Sequence, residues 1–209
     1  MKILAFSDVH CDLAACRRIV AAGAQADLVI GAGDFARAHR GLDETMAALA
    51  PLADRAVYVP GNNETAQALR ASTGAAVLHG EAITFGGLRI VGIGAAVPPL
   101  PPLPWGSFDL EEEAAAAMLA PFDRADILIS HSPPRDTVDR LAAEGLLGMH
   151  GAIGSQAVRA AALRLRPAFA FCGHVHDSWG KRALLGDTLV ANLGPRANWF
   201  ELGGDNGGN

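Results

Sequence analysis

Seven side chains of types that commonly bind metals fall in five short clusters along the chain. They are Asp8 and His10 in SDVH, Asp34 in GAGD, Asn62 in GNNE, His131 in ISHSPP, and His174 and His176 in CGHVH. Each cluster follows a short apolar run that reads as a strand. Imidazole, carboxylate and amide ligands together suit borderline divalent metals such as Mn, Fe or Zn. If the strands end at one rim, the sequence predicts a single metal pocket there.

Taken singly, most of these residues have a simpler structural interpretation. Asp8 could cap a helix, Asn62 lies in a turn-like GNNE segment, and His131 alone is an ordinary histidine at a strand end. Asp8 and His10 are two residues apart, and residues i and i+2 of an extended chain point the same way and can reach one ion. The pair His174 and His176 is more specific, because two histidines at a strand end form a plausible two-ligand unit and the flanking Gly173 and Asp177 indicate an exposed rim. The prediction therefore depends on the order of the five clusters and their shared placement after strands.

The composition predicts one compact globular domain. The chain has 209 residues, of which 50% are apolar and 19% are charged, and this is typical of a folded chain with a sizeable core. The net charge of -5 argues against an extended nucleic-acid surface. It still allows a single nucleotide in a metal site, because bound cations supply positive charge. We expect a domain over residues 1–202 and a flexible tail over 203–209, with the oligomeric state left open.

The cysteines and the apolar runs bear on where the protein acts. Cys11, Cys16 and Cys172 are odd in number and lack the spacing of a disulfide framework, which fits a reducing cytoplasm. No apolar stretch reaches the roughly 20 residues of a membrane span. We therefore expect a cytoplasmic protein without a membrane partner.

The first half of the chain alternates strand and helix patterns, which is typical of a parallel sheet. Strands are predicted at 2–7, 28–31 and 56–59, and helices at 13–22, 45–50 and 65–71. Asp12 is the expected N-cap of the first helix.

The middle segment has a different pattern. A hairpin is predicted over residues 81–93 because Gly86-Gly87 suits a tight primed turn. The proline-rich stretch 97–108 is predicted to be a loop bordering the site. Asp109 and Glu112 resemble a capping box that would start a helix over 110–119.

The second half repeats the strand and helix logic. Strands are predicted at 127–130, 168–172, 179–185, 188–192 and 197–202, the last three antiparallel, and a helix at 156–165. The long loop 132–154 is predicted to hold one helical turn near Arg140.

The constellation D-x-H, G-D, G-N, H and G-H-x-H resembles the calcineurin-like metallophosphoesterase superfamily, including its small Icc-related phosphoesterases. The matching segments are MKILAFSDVH, VYVPGNNE, LHGEAITFGGLRIVGIG, ILISHSPP, GMHGAIGS, CGHVH and VANLGP. They span nearly the whole chain. The resemblance implies an α/β fold, a four-layer α/β/β/α sandwich of two mixed β-sheets flanked by helices.

The resemblance also implies two divalent ions bridged by Asp34. One site would be completed by Asp8, His10 and His176, and the other by Asn62, His131 and His174. Such a pair of ions binds a phosphoryl group and holds a bridging hydroxide as nucleophile. The expected activity is a metal-dependent phosphoesterase, a phosphodiesterase in particular, with Mn as the expected metal and Fe, Zn or Ni as alternatives. A phosphatase acting on a small metabolite monoester and a metal-binding scaffold without activity remain alternatives.

Asn63 departs from the pattern of the family, in which many members carry a histidine that assists the leaving group. An amide cannot donate a full proton near neutral pH. We therefore predict a preference for phosphodiesters with good leaving groups. His150, in the loop GMHGAIGS, either reaches the pocket and replaces the missing acid or lies on the surface beside a helix start at Ser155.

Several further residues are weaker candidates. Arg37 and Arg135 lie just beyond ligand motifs and could clamp a phosphate, although arginines in such positions are more often ordinary rim residues. His39 and His79 are predicted to be structural or exposed.

Overall fold

The computed structural model describes residues 1–142 and 148–203. The first of its two sheets has the order β11-β1-β2-β3-β4. Its strands are β1 (Lys2–Phe6), β2 (Leu28–Gly31), β3 (Ala56–Tyr58), β4 (Ala76–Val77) and β11 (Asn198–Glu201). Strands β1 to β4 pair in parallel, as the alternating pattern predicted. Strand β11 is antiparallel to β1, with Ile3 opposite Phe200.

The second sheet has the order β5-β6-β7-β8-β10-β9. Its strands are β5 (Glu81–Phe85), β6 (Leu88–Ile93), β7 (Ile127–Ser130), β8 (Phe169–Cys172), β9 (Arg182–Leu185) and β10 (Thr188–Asn192). The central strands are parallel, while β5 and β9 are antiparallel edges. The predicted hairpin is confirmed, because β5 turns into β6 at Gly86-Gly87 and both glycines have positive φ.

Within the described part of the chain, five α-helices cover the outer faces of the two sheets. They are α1 (Leu13–Gly23), α2 (Leu42–Leu49), α3 (Ala66–Ser72), α4 (Glu112–Leu119) and α5 (Gln156–Leu165). The first three pack on the first sheet and the last two on the second. Between the sheets lies a third apolar cluster that includes Ile3, Ile30, Ile129 and Phe171, all fully buried. Each such side chain contributes roughly 1.5–3 kcal/mol, so this layer holds the two sheets face to face. The predicted α/β/β/α sandwich is confirmed.

The predicted capping box of α4 is wrong. Helix α4 begins at Glu112, and Asp109 instead accepts a hydrogen bond from the backbone of Leu100. The Glu112 carboxylate accepts from Ser155 Oγ (2.8 Å) and from the backbone of Gln156 and Ala157 at the start of α5. A helix start has unpaired N–H groups and a positive dipole end, so a carboxylate from a neighbouring helix is stabilising there.

Two other elements differ from their predictions. Arg140 pairs with Ala152 in an isolated β-bridge, and no helical turn is present within residues 132–142 and 148–154 of this loop. The last strand is antiparallel, as predicted, but its partner is β1 in the other sheet rather than the strands before it. Only tertiary packing decides which edge a terminal strand joins.

No helix among residues 1–142 and 148–203 has the length and apolar character needed to cross a membrane. The tail predicted at 203–209 lies, except for Gly203, outside the described residues.

Candidate metal centre

The carboxyl ends of five strands meet at one edge of the sandwich, and all seven predicted ligand side chains gather there. Asp8 and His10 follow β1, Asp34 follows β2, Asn62 follows β3, His131 follows β7, and His174 and His176 follow β8. The parallel order within each sheet explains the convergence, because parallel strands end at the same edge.

Asp34 lies between two groups of side chains and presents one carboxylate oxygen to each. Its Oδ2 is 3.6 Å from His10 Nε2, and its Oδ1 is 3.4 Å from His131 Nε2. The carboxyl is 2% exposed. This geometry suits a carboxylate shared between two cations.

The first group combines Asp8, His10 and His176. His176 Nε2 lies 3.2 Å from His10 Nε2 and 3.7 Å from Asp8 Oδ1. The ligand atoms of the three residues lie within 4.8 Å of one another. Two imidazole nitrogens and a carboxylate directed at a common point fit a borderline divalent cation.

The second group combines Asn62, His131 and His174. Asn62 Oδ1 lies 3.1 Å from His131 Nε2 and 3.2 Å from His174 Nδ1. The Asn62 amide donates to Ser107 Oγ at 3.0 Å, which fixes its oxygen toward the histidines. Asp8, Asp34 and His131 also have ligand atoms within 4.8 Å of one another, so the two groups are contiguous.

Backbone carbonyls set the tautomers of two histidines. His131 Nδ1 donates to the carbonyl of Ala32 at 2.8 Å, and His10 Nδ1 donates to that of Ala36 at 3.2 Å. A carbonyl only accepts, so Nδ1 carries the proton and Nε2 of the neutral ring faces the centre with a free lone pair. Metal-binding histidines are commonly oriented in this way.

The titratable groups at the centre perturb one another strongly. Burial opposes ionisation of Asp34, but the adjacent His131 and His10 hold the pKa of its carboxyl well below the usual range. Burial lowers the pKa of His131, yet the Asp34 carboxylate outweighs this and raises that pKa to about 9. Burial and the nearby His131 lower the pKa of His174 to about 3. A cation that binds His131 must therefore displace a proton.

Glu64 ties together two of the loops that carry predicted ligands. Its buried carboxylate accepts from the backbone of Asp34 and Ala36, both at 2.9 Å, and from that of Gly61 at 2.6 Å. Burial, reinforced by the negative charge of Asp34, raises the pKa of Glu64 to about 7. Glu64 was not predicted to have a role. Its position as an acidic residue three positions after Gly61, in a turn that is buried, was the signal that could have indicated one.

Trp179 is a second residue that sequence reasoning missed. Its Nε1 donates to Asp8 Oδ2 at 3.2 Å, and its ring centroid lies 4.2 Å from that of His176. Asp8 also accepts from Ser7 Oγ and from the backbone of His174. Trp179 thereby orients two predicted ligands at once, a contact that the predicted strand at 179–185 did not reveal.

The backbone is strained at four of the predicted ligand residues. Asp8, His10, Asp34 and His174 have φ values of 53°, 42°, 59° and 67°. Positive φ is uncommon for residues other than glycine, although Asp and His tolerate it better than most. Such strain clusters at functional sites, where surrounding contacts over-determine the conformation.

Asn63 and His150, the two residues predicted to matter for the leaving group, occupy different environments. Asn63 donates from its backbone and its side chain to the two oxygens of Asp34, at 2.9 and 2.8 Å, and accepts from Ala38 N. His150 is exposed and lines a cavity of about 270 Å³ together with His174 and Arg135. His79 accepts from Gly94 N at 3.1 Å, a structural contact.

Two larger cavities open from the centre and share His10. One, of about 500 Å³, includes most of the predicted ligand side chains and has an apolar wall formed by Leu100, Leu103, Met149 and Ile153. The other, of about 1060 Å³, is lined by arginine, histidine and tryptophan side chains. The proline-rich loop contributes to both cavities, so it borders the site as predicted.

A four-layer sandwich with carboxylate and histidine clusters at its carboxyl edge defines the class of two-metal hydrolases. Residues 1–202 match the calcineurin-like phosphoesterase superfamily domain, and the chain belongs to this superfamily. It is therefore a metal-dependent phosphoesterase, and membership implies two divalent ions. No curated protein sequence gives a significant match.

Solved structures share the fold at low sequence identity. The protein TT1561 of Thermus thermophilus gives a TM-score of 0.70 at 16% identity, over 95% of this chain and 97% of that one. A dimetal phosphatase from Danio rerio gives 0.58 at 15% identity, over 93% and 88%. Phosphopantetheinyl hydrolase from Mycobacterium tuberculosis gives 0.57 at 14% identity, over 92% and 88%. At such identities the similarity shows the fold alone.

Proposed function

We propose that this protein is a two-metal phosphodiesterase. The observation that carries the proposal is the pair of cavities that meet at His10: one has an apolar wall beside most of the predicted ligands, and the other is lined by arginine, histidine and tryptophan side chains. A diester has two substituents on phosphorus and needs a space for each, whereas a monoester needs one. Hydrolysis breaks the P–O bond to the leaving group and forms one to a water oxygen, which yields a monoester and an alcohol.

The seven side chains at the centre are the proposed ligands of two ions, with Asp34 between them. When bound, the ions would polarise the phosphoryl group and lower the pKa of a water molecule. The chain supplies orientation: Asn63 fixes both oxygens of Asp34, and Trp179 fixes Asp8. We propose Mn as the metal, with Fe, Zn or Ni as alternatives, because mixed imidazole and carboxylate donors accommodate all of these ions. The free cysteines support a reducing, cytoplasmic location.

Phosphodiesters are expected to be hydrolysed in preference to monoesters, and good leaving groups in preference to poor ones. The Asn63 amide is committed to Asp34, so it supplies no proton to a departing alkoxide. With Mn²⁺ present, bis-p-nitrophenyl phosphate should exceed p-nitrophenyl phosphate in kcat/KM by about tenfold or more. Across aryl diesters, the rate should fall steeply as the pKa of the leaving phenol rises, because these groups depart as phenolates and gain little from a proton donor.

Three outcomes would count against this proposal. A higher kcat/KM for the monoester would indicate a phosphatase. A shallow dependence on leaving-group pKa, equal to that of a relative with histidine in place of Asn63, would contradict the role given to Asn63. Fewer than one tightly held ion per chain, with no hydrolysis after Mn²⁺ addition, would indicate a scaffold.

His150 is the proposed proton donor for the leaving group. Its position in a cavity shared with His174 supports this role. His150→Gln should lower kcat for an alkyl-leaving-group diester by at least about tenfold, the lower end of what a general acid contributes, and should affect aryl diesters less. His79→Gln is the control, since His79 bonds to the backbone of Gly94 and does not line this cavity. Equal kcat values for the two variants would show that His150 does not donate a proton to the leaving group.

A further inference from the structure

The larger cavity contains a strained two-residue turn that presents two arginines. Arg37 and Arg40 face each other across the turn, with both backbone N–H···O distances at 3.0 Å. Ala38 and His39 between them have φ values of 48° and 62°. A turn of this kind normally uses Gly, Asn or Asp, so an alanine there costs stability. Like charges directly opposite each other on paired strands are also destabilising.

Contacts to the metal centre and to the proline-rich loop hold this turn in place. The side chain and carbonyl of Asn63 bond to the backbone N–H groups of Ala38 and His39, at 2.8 and 2.9 Å. His39 Nε2 lies 2.6 Å from the carbonyl oxygen of Gly106, and its ring packs edge-on against Trp105. The same asparagine therefore orients Asp34 and fixes the turn, which couples the arginines to the reacting centre.

The two arginines have no anionic partner among residues 1–142 and 148–203. Both side chains are exposed, and no Asp or Glu oxygen in those ranges lies within 4.0 Å of either guanidinium. Of the acidic residues that line the groove, Asp8 is held in the centre and Asp12 caps α1. Paired guanidinium groups beside a site for phosphoryl chemistry are suited to a further phosphate.

Two partly exposed indole rings line the same groove. Trp105 comes from the proline-rich loop, and Trp179 follows His176. Aromatic side chains of this kind bind nucleobases by stacking. The volume, about 1060 Å³, is slightly above the roughly 300–1,000 Å³ of small-molecule sites. It therefore has room for a nucleoside with more than one phosphate.

We infer that this groove binds the arm of the diester that is retained on phosphorus, and that this arm is a nucleoside carrying a second phosphate. The tryptophans would take the base, while Arg37 and Arg40 would take the second phosphate. The inference rests on the proposed phosphodiesterase activity, which places the reacting phosphorus beside His10. The apolar wall of the cavity of about 500 Å³ is then left for the departing group.

Three substrates with one leaving group separate these contributions. They are p-nitrophenyl methyl phosphate, p-nitrophenyl thymidine 5′-phosphate, and the latter ester with an added 3′-phosphate. In the parent protein kcat/KM should rise in that order. Arg40→Gln should reduce the ratio of kcat/KM for the ester with the 3′-phosphate to that for the ester without it about fivefold to tenfold, as expected for one charge-assisted contact. Trp105→Leu should reduce the ratio of kcat/KM for the thymidine ester to that for the methyl ester by a similar factor, because stacking on the base is lost.

Matched variants outside the groove serve as controls. Arg124→Gln removes an exposed arginine beyond α4, and Trp199→Leu removes the exposed tryptophan of β11. Both should keep the substrate ratios of the parent. If Arg40→Gln and Trp105→Leu also keep those ratios while diesters are still hydrolysed, the groove inference is overturned and the phosphodiesterase proposal stands.

A binding measurement tests whether the groove binds a nucleotide, independently of turnover. Thymidine 3′,5′-bisphosphate should quench the tryptophan fluorescence of the parent protein, and its Kd should rise about fivefold in Arg40→Gln but not in Arg124→Gln. If no diester is hydrolysed yet this difference in Kd appears, the proposed function fails and the nucleotide groove is retained. Equal Kd values in the two variants would exclude the groove.

Discussion

Asp34→Asn is expected to lower the hydrolysis of every phosphoester substrate by more than about 100-fold, because loss of a residue that merely orients a metal ligand already costs roughly 10–100-fold. Asp34 faces both ligand groups, with Oδ2 toward His10 and Oδ1 toward His131. The amide keeps one oxygen and loses the charge. Metal analysis of the purified variant should show no more than one ion per chain.

The same substitution should destabilise the fold. Asn63 donates a hydrogen bond to each carboxylate oxygen of Asp34. In Asp34→Asn one of these oxygens becomes an NH₂ group, which would face an N–H donor of Asn63 in a buried site. An unsatisfied buried group costs about 1–3 kcal/mol, which corresponds to a Tm decrease of roughly 2–12 °C for a chain of this length. Asp12→Asn is the control, because asparagine caps a helix as well as aspartate does. An Asp34→Asn variant with two ions and parental activity would refute the assignment of Asp34.

The parts of the fold that could be predicted from the sequence depend on local patterns. The apolar runs gave the strands before each ligand cluster, and Gly86-Gly87 gave the hairpin register. Glu112 was misassigned because its partners, at the start of α5, lie more than 40 positions away in the chain. The partner of β11 was missed for the same reason, since a terminal strand has no local signal for the edge that it joins.

In the candidate site, too, local patterns predicted some residues, while contacts between distant residues were not predicted. Residue types and spacing predicted all seven side chains that meet at the strand ends. The residues that orient them, Glu64 and Trp179, bond to atoms that are distant in sequence. Asn63 was predicted to matter only as a missing acid, whereas the structure gives it contacts to Asp34 and to the turn at Ala38. The contacts that orient the predicted ligands depend on proximity in three dimensions, which the spacing of residues along the chain does not specify.

Gly61→Ala is expected to inactivate the enzyme by steric displacement of Asp34. A Cβ at position 61 would overlap the backbone nitrogen and Oδ1 of Asp34, with its Cγ at 2.7 Å. The φ of Gly61 lies outside the positive range, so alanine is conformationally allowed and only the overlap matters. Nothing flexible can yield, because Asp34 is held by Asn63 and Glu64.

The expected loss for Gly61→Ala is about 100-fold in kcat/KM, the effect of a displacement of roughly 1 Å in a catalytic group. Overpacking should also cost about 1–3 kcal/mol of unfolding free energy, measurable by urea titration. Gly74→Ala is the matched control, because a Cβ there meets no atom within 4 Å, and its unfolding free energy should stay within about 0.5 kcal/mol of the parent. If the two variants are equally active and equally stable, the close approach of Gly61 to Asp34 has no bearing on catalysis. If only Gly61→Ala loses both, the close approach of Gly61 is needed to keep the Asp34 carboxylate in place.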